Sequence, residues 1–134
     1  MAPLLQLAVD VLSTDEAVEI ARAVWPRFDI LEVGTPLVIE QGLASLEALR
    51  SACPGKRLLA DLKIMDAGRL EAASGFRRGA DIVTVLGAAD DRTIEGALAA
   101  ASEAGGEVMA DLINVADPVG RGRRLERLGV HLLC

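Results

Sequence analysis

Two aspartates and a lysine stand together where one apolar run ends, in the segment Asp61-Leu62-Lys63-Ile64-Met65-Asp66. The run from Leu58 to Leu62 is typical of a buried strand, and charged side chains are rarely buried unless they are paired or bound to something. Asp61 and Lys63 are two residues apart, so they would share one face of an extended strand. The segment therefore predicts a functional site at the end of this strand.

Polar residues also stand at the ends of other apolar runs. Asp10 follows the first run, Glu32 lies in the second, and Asp111 lies in the fifth, shortly before Asn114. In parallel α/β folds the carboxyl ends of the strands form the ligand-binding edge. Carboxylates with open positions suit Mg²⁺ or Mn²⁺, and a nearby lysine can stabilise an anionic intermediate such as an enediolate. The alternative is that the lysine is only a structural ion-pair partner.

Two further residues could take part in chemistry. Asp66 lies three residues past Lys63 on the way into a predicted helix, so it either caps that helix or serves another site. His131 is the sole histidine, and histidine is the commonest general base. We expect a packing or surface role for it, because it stands near the beginning of its apolar run.

Apolar runs and helical patterns alternate with a period of about 25 residues. The runs are Leu5–Val9, Ile30–Val33, Leu58–Leu62, Ile82–Leu86, Val108–Ile113 and Val130–Leu133. They are continuous rather than alternating, as in parallel strands that are buried on both faces. The segment Ser13-x-x-Glu16 is a capping box before the first helix, and Leu43, Leu46 and Leu49 form a stripe in the second.

This repeat predicts an α/β fold in one domain, residues 1–134. A (β/α)8 TIM barrel needs at least about 200 residues, whereas the chain holds 134. We therefore expect an incomplete barrel, with about the first five to six βα units. A complete open α/β sheet is the competing interpretation.

Composition excludes several classes of protein. The net charge is −6, and no basic block is interleaved with aromatic residues, so we expect no nucleic-acid partner. The arginine-rich stretch from Arg121 to Arg127 is predicted to be a solvated helix face. No apolar stretch or basic leader indicates a membrane span or a signal peptide. Cys53 and Cys134 lack disulfide or metal spacing, which favours a reducing cytoplasm.

Five segments of the chain resemble the 3-hexulose-6-phosphate synthases of the orotidine-5′-monophosphate decarboxylase suprafamily. They are Leu5–Asp10, Glu32–Leu37, Ala60–Gly68, Ala80–Gly87 and Asp111–Val115. The Asp-x-Lys-x-x-Asp motif is specific to that suprafamily. The related 3-keto-L-gulonate-6-phosphate decarboxylases typically have Asp-Ala-Lys-Ile-Ala-Asp in the third strand and a glutamate in the fifth. Leu62, Met65 and the segment Asp111–Asn114 favour the synthases.

The resemblance implies a role for each site residue. Glu32 and Asp61 would be the ligands of Mg²⁺ (or Mn²⁺), and Asp10 would contact a substrate hydroxyl. Lys63 would stabilise the enediolate of D-ribulose 5-phosphate. Asp66 would cross a homodimer interface into the partner's site, and Asp111 would be a further polar site residue.

The implied reaction is the reversible aldol addition of formaldehyde to that enediolate, which gives 3-hexulose 6-phosphate. The alternatives are a 3-keto-L-gulonate-6-phosphate decarboxylase, which uses the same kind of enediolate, and a non-enzymatic barrel fragment. Such a fragment would oligomerise through the exposed edges of its sheet.

Members of the resembled family continue beyond the position of Cys134. They have a Val-His motif, whose histidine is a candidate for proton transfer, and then a phosphate site. The resemblance therefore implies truncation on the C-terminal side, and binding energy from a remote phosphate normally contributes to turnover.

We accordingly expect residues 1–134 alone to have little or no aldolase activity. The measurement is turnover of formaldehyde and ribulose 5-phosphate by the purified polypeptide. Measurable turnover would contradict this expectation.

Overall fold

The computed structural model describes residues 3–134 as one sheet of six parallel strands. The strands lie side by side in chain order, β1-β2-β3-β4-β5-β6. They are β1 (Gln6–Val9), β2 (Ile30–Val33), β3 (Arg57–Ile64), β4 (Ile82–Leu86), β5 (Glu107–Asp111) and β6 (Leu132–Leu133). Each strand pairs with the next in parallel, so each connection is a crossover through helical structure. The predicted βα repeat is confirmed.

Six helices connect the strands. They are α1 (Thr14–Ala23), α2 (Thr35–Gln41), α3 (Ala44–Ala52), α4 (Gly68–Arg77), α5 (Asp91–Ala104) and α6 (Pro118–Leu128), and a short 3₁₀ turn covers Trp25–Arg27. The predicted cap of α1 is present, because the Ser13 hydroxyl accepts a hydrogen bond from the Glu16 amide at 3.5 Å. Among the described residues, no helix is long and apolar enough to cross a membrane.

Strands β5 and β6 stop or start short of their predicted runs, since β5 ends at Asp111 instead of Ile113 and β6 begins at Leu132 instead of Val130. Two other predicted elements differ where the backbone is irregular. The region predicted as one second helix forms α2 and α3, which are separated where Gly42 adopts a φ of 68°. Strand β3 continues to Ile64, two residues beyond the predicted apolar run Leu58–Leu62, so Lys63 lies within the strand. Both differences arise at local backbone irregularities, which apolar periodicity does not report.

The sheet is curved, and its two faces carry separate cores. The larger core packs between the sheet and the surrounding helices and includes Leu31, Val83 and Ile94. A smaller cluster occupies the concave face, and it consists of Ile30, Leu59, Ile82 and Met109, with Leu132 beside it. Side chains alternate between the faces along a strand. The strands are therefore apolar throughout because both of their faces are covered.

Residues on the concave face form successive layers, as in the interior of a barrel. Below the apolar cluster, towards the amino ends of the strands, Arg57 pairs with Glu107. Two residues above the cluster, each strand carries a polar residue. These are Glu32, Asp61, Thr84 and Asp111. Alternation thus places this polar layer at the carboxyl ends of the strands, where the sequence predicts the site.

The arginine-rich helix is only partly a solvated face. Arg123, Arg124 and Arg127 are exposed, as predicted, but Arg121 is half-buried. Its guanidinium donates to the carbonyl oxygens of Gly87 and Ala89 and forms an ion pair with Asp91. Arg121 therefore ties α6 to the loop that follows β4, an interaction that the charge pattern of the helix does not predict.

Helix α4 approaches α5 closely at Gly68, and we expect Gly68→Ala to destabilise the chain. A Cβ atom at this position would lie 1.9 Å from the carbonyl oxygen of Thr93, a backbone atom that cannot easily move. The expected loss is about 1–3 kcal/mol in the free energy of unfolding, measured by urea denaturation. Glu95→Ala is the control on the facing helix α5, because the Glu95 side chain is exposed. It should change stability by less than about 0.5 kcal/mol. Equal stabilities for Gly68→Ala and the wild type would contradict the close approach.

Candidate active site

The ammonium group of Lys63 lies between two carboxylates at the carboxyl edge of the sheet. Its Nζ is 2.8 Å from Asp61 Oδ2 and 3.1 Å from Asp111 Oδ2. Asp61 belongs to the same strand, whereas Asp111 is on β5, so the ammonium group reaches across β4. The side chains of Asp61 and Lys63 meet, as predicted, although the regular extended strand on which that prediction rested is interrupted, and Asp111 joins them.

A local irregularity, not a regular extended strand, directs Lys63 to this position. Ala60 pairs with Val83 and Ile64 pairs with Val85, so three residues of β3 lie opposite the single residue Thr84. Lys63 has a φ of 47°, which is uncommon for a residue other than glycine. Such bulges redirect side chains and are frequent beside functional sites.

The carboxylate of Asp61 is held from three directions. Besides Lys63, the hydroxyl of Thr84 donates to Oδ1 at 2.7 Å. The Thr35 hydroxyl lies 2.7 Å from Oδ2 and 2.8 Å from the Asp61 carbonyl oxygen. Asp61 itself is only 5% exposed. Burial raises the pKa of this carboxyl, but hydrogen bonds from Lys63, Thr35 and Thr84 outweigh burial and place its pKa below the ordinary value.

The charge on Lys63 is stabilised by its neighbours. Partial burial lowers the pKa of the ammonium group, but the hydrogen bonds and negative charges of Asp61 and Asp111 more than compensate and raise it. Lys63 is therefore a fixed cation at neutral pH. A fixed cation suits the stabilisation of negative charge on a substrate better than proton abstraction, which needs a neutral amine.

Glu32 carries a charge that the protein compensates poorly. Burial raises the pKa of this carboxyl, and the nearby charges of Asp61 and Asp10 raise it further. The hydrogen bond from Gln6 lowers the pKa but does not cancel these effects. Gln6 Nε2 donates to Glu32 Oε2 at 2.6 Å. A cation placed between Glu32 and Asp61 would relieve this repulsion.

Asp10 completes the cluster of carboxylates at this edge of the sheet. Its Oδ1 lies over Gly34, where a side chain would place its Cβ only 2.0 Å away. A glycine is therefore required at the end of β2 for the two loops to approach. Asp10 lies near enough to Glu32 to raise its pKa, which places it in the same cluster.

The donor set fits a hard cation only in part. Across residues 3–134, no three His, Cys, Asp or Glu side chains converge closely enough to hold a metal ion. Glu32 and Asp61 would supply two oxygen ligands. Mg²⁺ commonly binds through one or two carboxylates and completes its shell with water or substrate oxygens. The predicted pair of ligands is thus chemically suitable for Mg²⁺ bound together with a substrate.

Asp66 stands apart from the cluster. Its Oδ1 accepts a hydrogen bond from the amide of Ala67 at 2.6 Å, and its carbonyl oxygen accepts one from the Thr93 hydroxyl at 2.9 Å. The N-cap of α4 is Ala67, with no side-chain cap. The capping interpretation of Asp66 is therefore wrong. The exposed carboxylate makes no hydrogen bond or ion pair with Lys63 or Asp61 among the described residues.

Four other residues that the sequence singled out remain, and they do not share one location. His131 is at the amino end of β6, where its Nδ1 accepts from the Val108 amide at 3.1 Å, so it is remote from the carboxyl edge as predicted. Asn114 follows β5 in a turn with a φ of 60°. Cys53 is a buried unpaired thiol. Cys134 is also unpaired but lies beside the site, where burial raises the pKa of its thiol and the nearby charge of Asp111 raises it further.

Sequence reasoning missed Gln6, Thr35 and Thr84. Thr84 could have been found, because it is the one polar residue in the apolar run of β4 and stands two residues after Ile82. Thr35 and Gln6 gave no such signal, since polar residues are common at strand and helix ends.

Known proteins are similar to this chain over almost its whole length. The 3-hexulose-6-phosphate synthase of Mycobacterium gastri is 48% identical over 129 residues, and that of Bacillus subtilis is 44% identical over 130 residues. These alignments cover 96% and 97% of the chain, respectively. The chain spans 62% of the length of both relatives.

A crystal structure of a 3-hexulose-6-phosphate synthase superposes with a TM-score of 0.96 and 46% identity, covering 98% of this chain and 63% of that one. The six strands are thus those of an incomplete (β/α)8 barrel, and the open-sheet alternative is wrong. Residues 3–132 match the family described as Orotidine 5'-phosphate decarboxylase / HUMPS family. The chain belongs to this family.

Proposed function

We propose that the chain carries the metal-binding and enediolate-stabilising part of an aldolase that joins formaldehyde to D-ribulose 5-phosphate. The observation that carries the proposal is the Lys63 ammonium group between Asp61 and Asp111, with Glu32 beside them. Relatives 44–48% identical bear the name of the synthase, which supports this reaction over other reactions of the family.

In this reaction, a general base takes a proton from C1 of ribulose 5-phosphate and an enediolate forms; the candidate base is the histidine of the Val-His motif that relatives carry beyond the position of Cys134. C1 of the enediolate then attacks the carbon of formaldehyde and a C–C bond forms as the C=O π bond breaks. The resulting alkoxide oxygen takes the proton back from the base to give 3-hexulose 6-phosphate. Lys63 stabilises the negative charge on the enediolate, and Asp10 contacts a substrate hydroxyl. Asp111 orients Lys63. Bound Mg²⁺ would neutralise charge on the enediolate oxygens.

Glu32 and Asp61 would hold that ion. Glu32 is suited to the role because its charge is partly buried and is repelled by neighbouring carboxylates. A bound cation would reduce this repulsion. Asp61 is suited because Thr35, Thr84 and Lys63 fix its orientation before any ligand binds. Such preorganisation reduces the rearrangement that is required during the reaction.

We also propose that the chain acts as a homodimer, in which Asp66 serves the site of the partner. Its carboxylate is exposed and bonds to the amide of Ala67 rather than to Lys63 or Asp61, which leaves it accessible to a partner. Neighbouring Met65 and Leu70 are 52% and 68% exposed, and an interface would cover such apolar side chains.

The unpaired thiols of Cys53 and Cys134 suit a protein of the reducing cytoplasm, which is the location that we propose.

Lys63 provides the direct test of the chemistry. In the longest natural form of the chain, we expect Lys63→Ala to lower kcat/KM for formaldehyde and ribulose 5-phosphate by at least about 100-fold, because the fixed cation is lost. Lys56→Arg is the control, since Lys56 donates to the Phe28 carbonyl near the amino ends of the strands.

Unchanged turnover in Lys63→Ala would refute its role. Faster turnover of 3-keto-L-gulonate 6-phosphate than of the aldol substrates by the wild type would instead favour the decarboxylase.

Glu32 provides a test of the cation that does not depend on activity. In metal-free buffer at pH 7, we expect Glu32→Gln to raise the free energy of unfolding by about 0.5–1 kcal/mol. The substitution removes a negative charge that neighbouring carboxylates repel. The folded-state pKa of Glu32 lies above its unfolded value of 4.5. The penalty is therefore full at neutral pH and disappears as the pH falls through the folded pKa to about 4.5.

Added Mg²⁺ should raise the melting temperature of the wild type and have little effect on Glu32→Gln. Glu19→Gln, an exposed position on α1, serves as the control and should respond to Mg²⁺ as the wild type does. An equal response to Mg²⁺ in Glu32→Gln and the wild type would exclude Glu32 as a ligand.

A further inference from the structure

The bulge in β3 leaves the backbone of Lys63 without a regular sheet partner. The ladder between β3 and β4 is interrupted between Ala60 and Ile64, and the side chain of Thr84 fills the gap. The Lys63 amide donates to Thr84 Oγ1 at 2.9 Å. A buried amide without an acceptor would be costly, so this hydroxyl replaces the missing carbonyl of the ladder.

The same hydroxyl also contacts the carboxylate that pairs with Lys63. Thr84 Oγ1 donates its proton to Asp61 Oδ1 at 2.7 Å. Thr84 is only 3% exposed, so no water molecule competes strongly for either bond. One oxygen atom thus accepts from the backbone of Lys63 and donates to the side chain of Asp61.

Thr35 cannot replace it. The Thr35 hydroxyl contacts Asp61 Oδ2 and the Asp61 carbonyl, but it makes no hydrogen bond with Lys63. Asp61 would therefore keep an orienting partner without Thr84, whereas the amide of Lys63 would lose its only acceptor among the described residues.

We propose that Thr84 is a positioning residue, which holds Lys63 in its left-handed conformation and fixes its ammonium group between Asp61 and Asp111. The effect of Thr84 on turnover rests on the proposed function, whereas its effect on the conformation of Lys63 does not. Without the hydroxyl, Lys63 relaxes towards regular strand pairing. Its side chain then leaves the position from which it reaches β5.

The test uses the two lysines of the chain, Lys56 and Lys63. Labelling with ¹⁵N-lysine gives two backbone amide signals and two side-chain ammonium signals, so Lys56 is an internal reference. We expect Thr84→Val, which keeps the shape and removes the hydroxyl, to speed hydrogen exchange of the Lys63 amide at least 10-fold. It should also broaden or shift the Lys63 ammonium signal. Thr84→Ser should retain both properties of the wild type.

Thr93→Val is the matched control. It removes another buried threonine hydroxyl, which donates to the Asp66 carbonyl and does not contact Lys63. Both Lys63 signals should be unchanged in this variant, apart from any loss of global stability, which urea denaturation measures separately.

The proposal is overturned if the Lys63 amide of Thr84→Val exchanges its hydrogen at the same rate as in the wild type. If Thr84→Val does not fold, the wild type and Thr84→Ser still decide. Fast exchange of the Lys63 amide in the wild type, or loss of protection in folded Thr84→Ser, overturns it equally.

Kinetics of the longest natural form then separate the two proposals. Thr84→Val should lower kcat about 10-fold or more with little change in KM, and Thr84→Ser should restore it. Absence of aldolase activity in the wild type refutes the proposed function while the exchange result stands. An active enzyme whose Thr84→Val variant has an unchanged kcat refutes the positioning role in catalysis.

Discussion

The site depends on the ammonium group of Lys63, which lies between Asp61 and Asp111 because of the bulge in β3. In a regular strand, the side chains of Asp61 and Lys63 would lie on the same face, and nothing would direct the Lys63 side chain towards β5. The positive φ of Lys63 and the three-to-one pairing opposite Thr84 bring its ammonium group within 3.1 Å of Asp111. Backbone irregularity at one residue thus connects three strands.

The layers beneath the site explain why this irregularity is tolerated. Ile30, Leu59, Ile82 and Met109 fill the concave face, and the helices cover the other face. Regular pairing on both sides of the bulge, from Leu59 to Ala60 and again at Ile64, holds β3 in register. The apolar layer therefore supplies the stability, and the polar layer above it can keep paired and repelled charges that do not favour folding by themselves.

The sequence predicts the strands well, together with the placement of Asp10, Glu32, Asp61, Lys63 and Asp111 at or near their carboxyl ends. Apolar runs and the polar residues at their ends are signals of short range. The sequence does not predict the break at Gly42, the extension of β3 to Ile64 or the contacts of Thr35 and Thr84. These depend on backbone angles and on which residue of a neighbouring strand lies opposite. Asp66 shows the same limit, since spacing alone allowed a capping role that the geometry excludes.

Charge balance at the carboxyl edge bears on what can bind there. Four carboxylates, those of Asp10, Glu32, Asp61 and Asp111, face one ammonium group, so the cluster has a formal charge of about −3 at neutral pH. A sugar phosphate is itself an anion and would be repelled. This sum already includes Lys63, whose ammonium group pairs with Asp61 and Asp111. A divalent cation near Glu32 would lower the repulsion. The electrostatics therefore support the proposed function, in which a metal ion and an anionic substrate would bind together rather than the substrate alone.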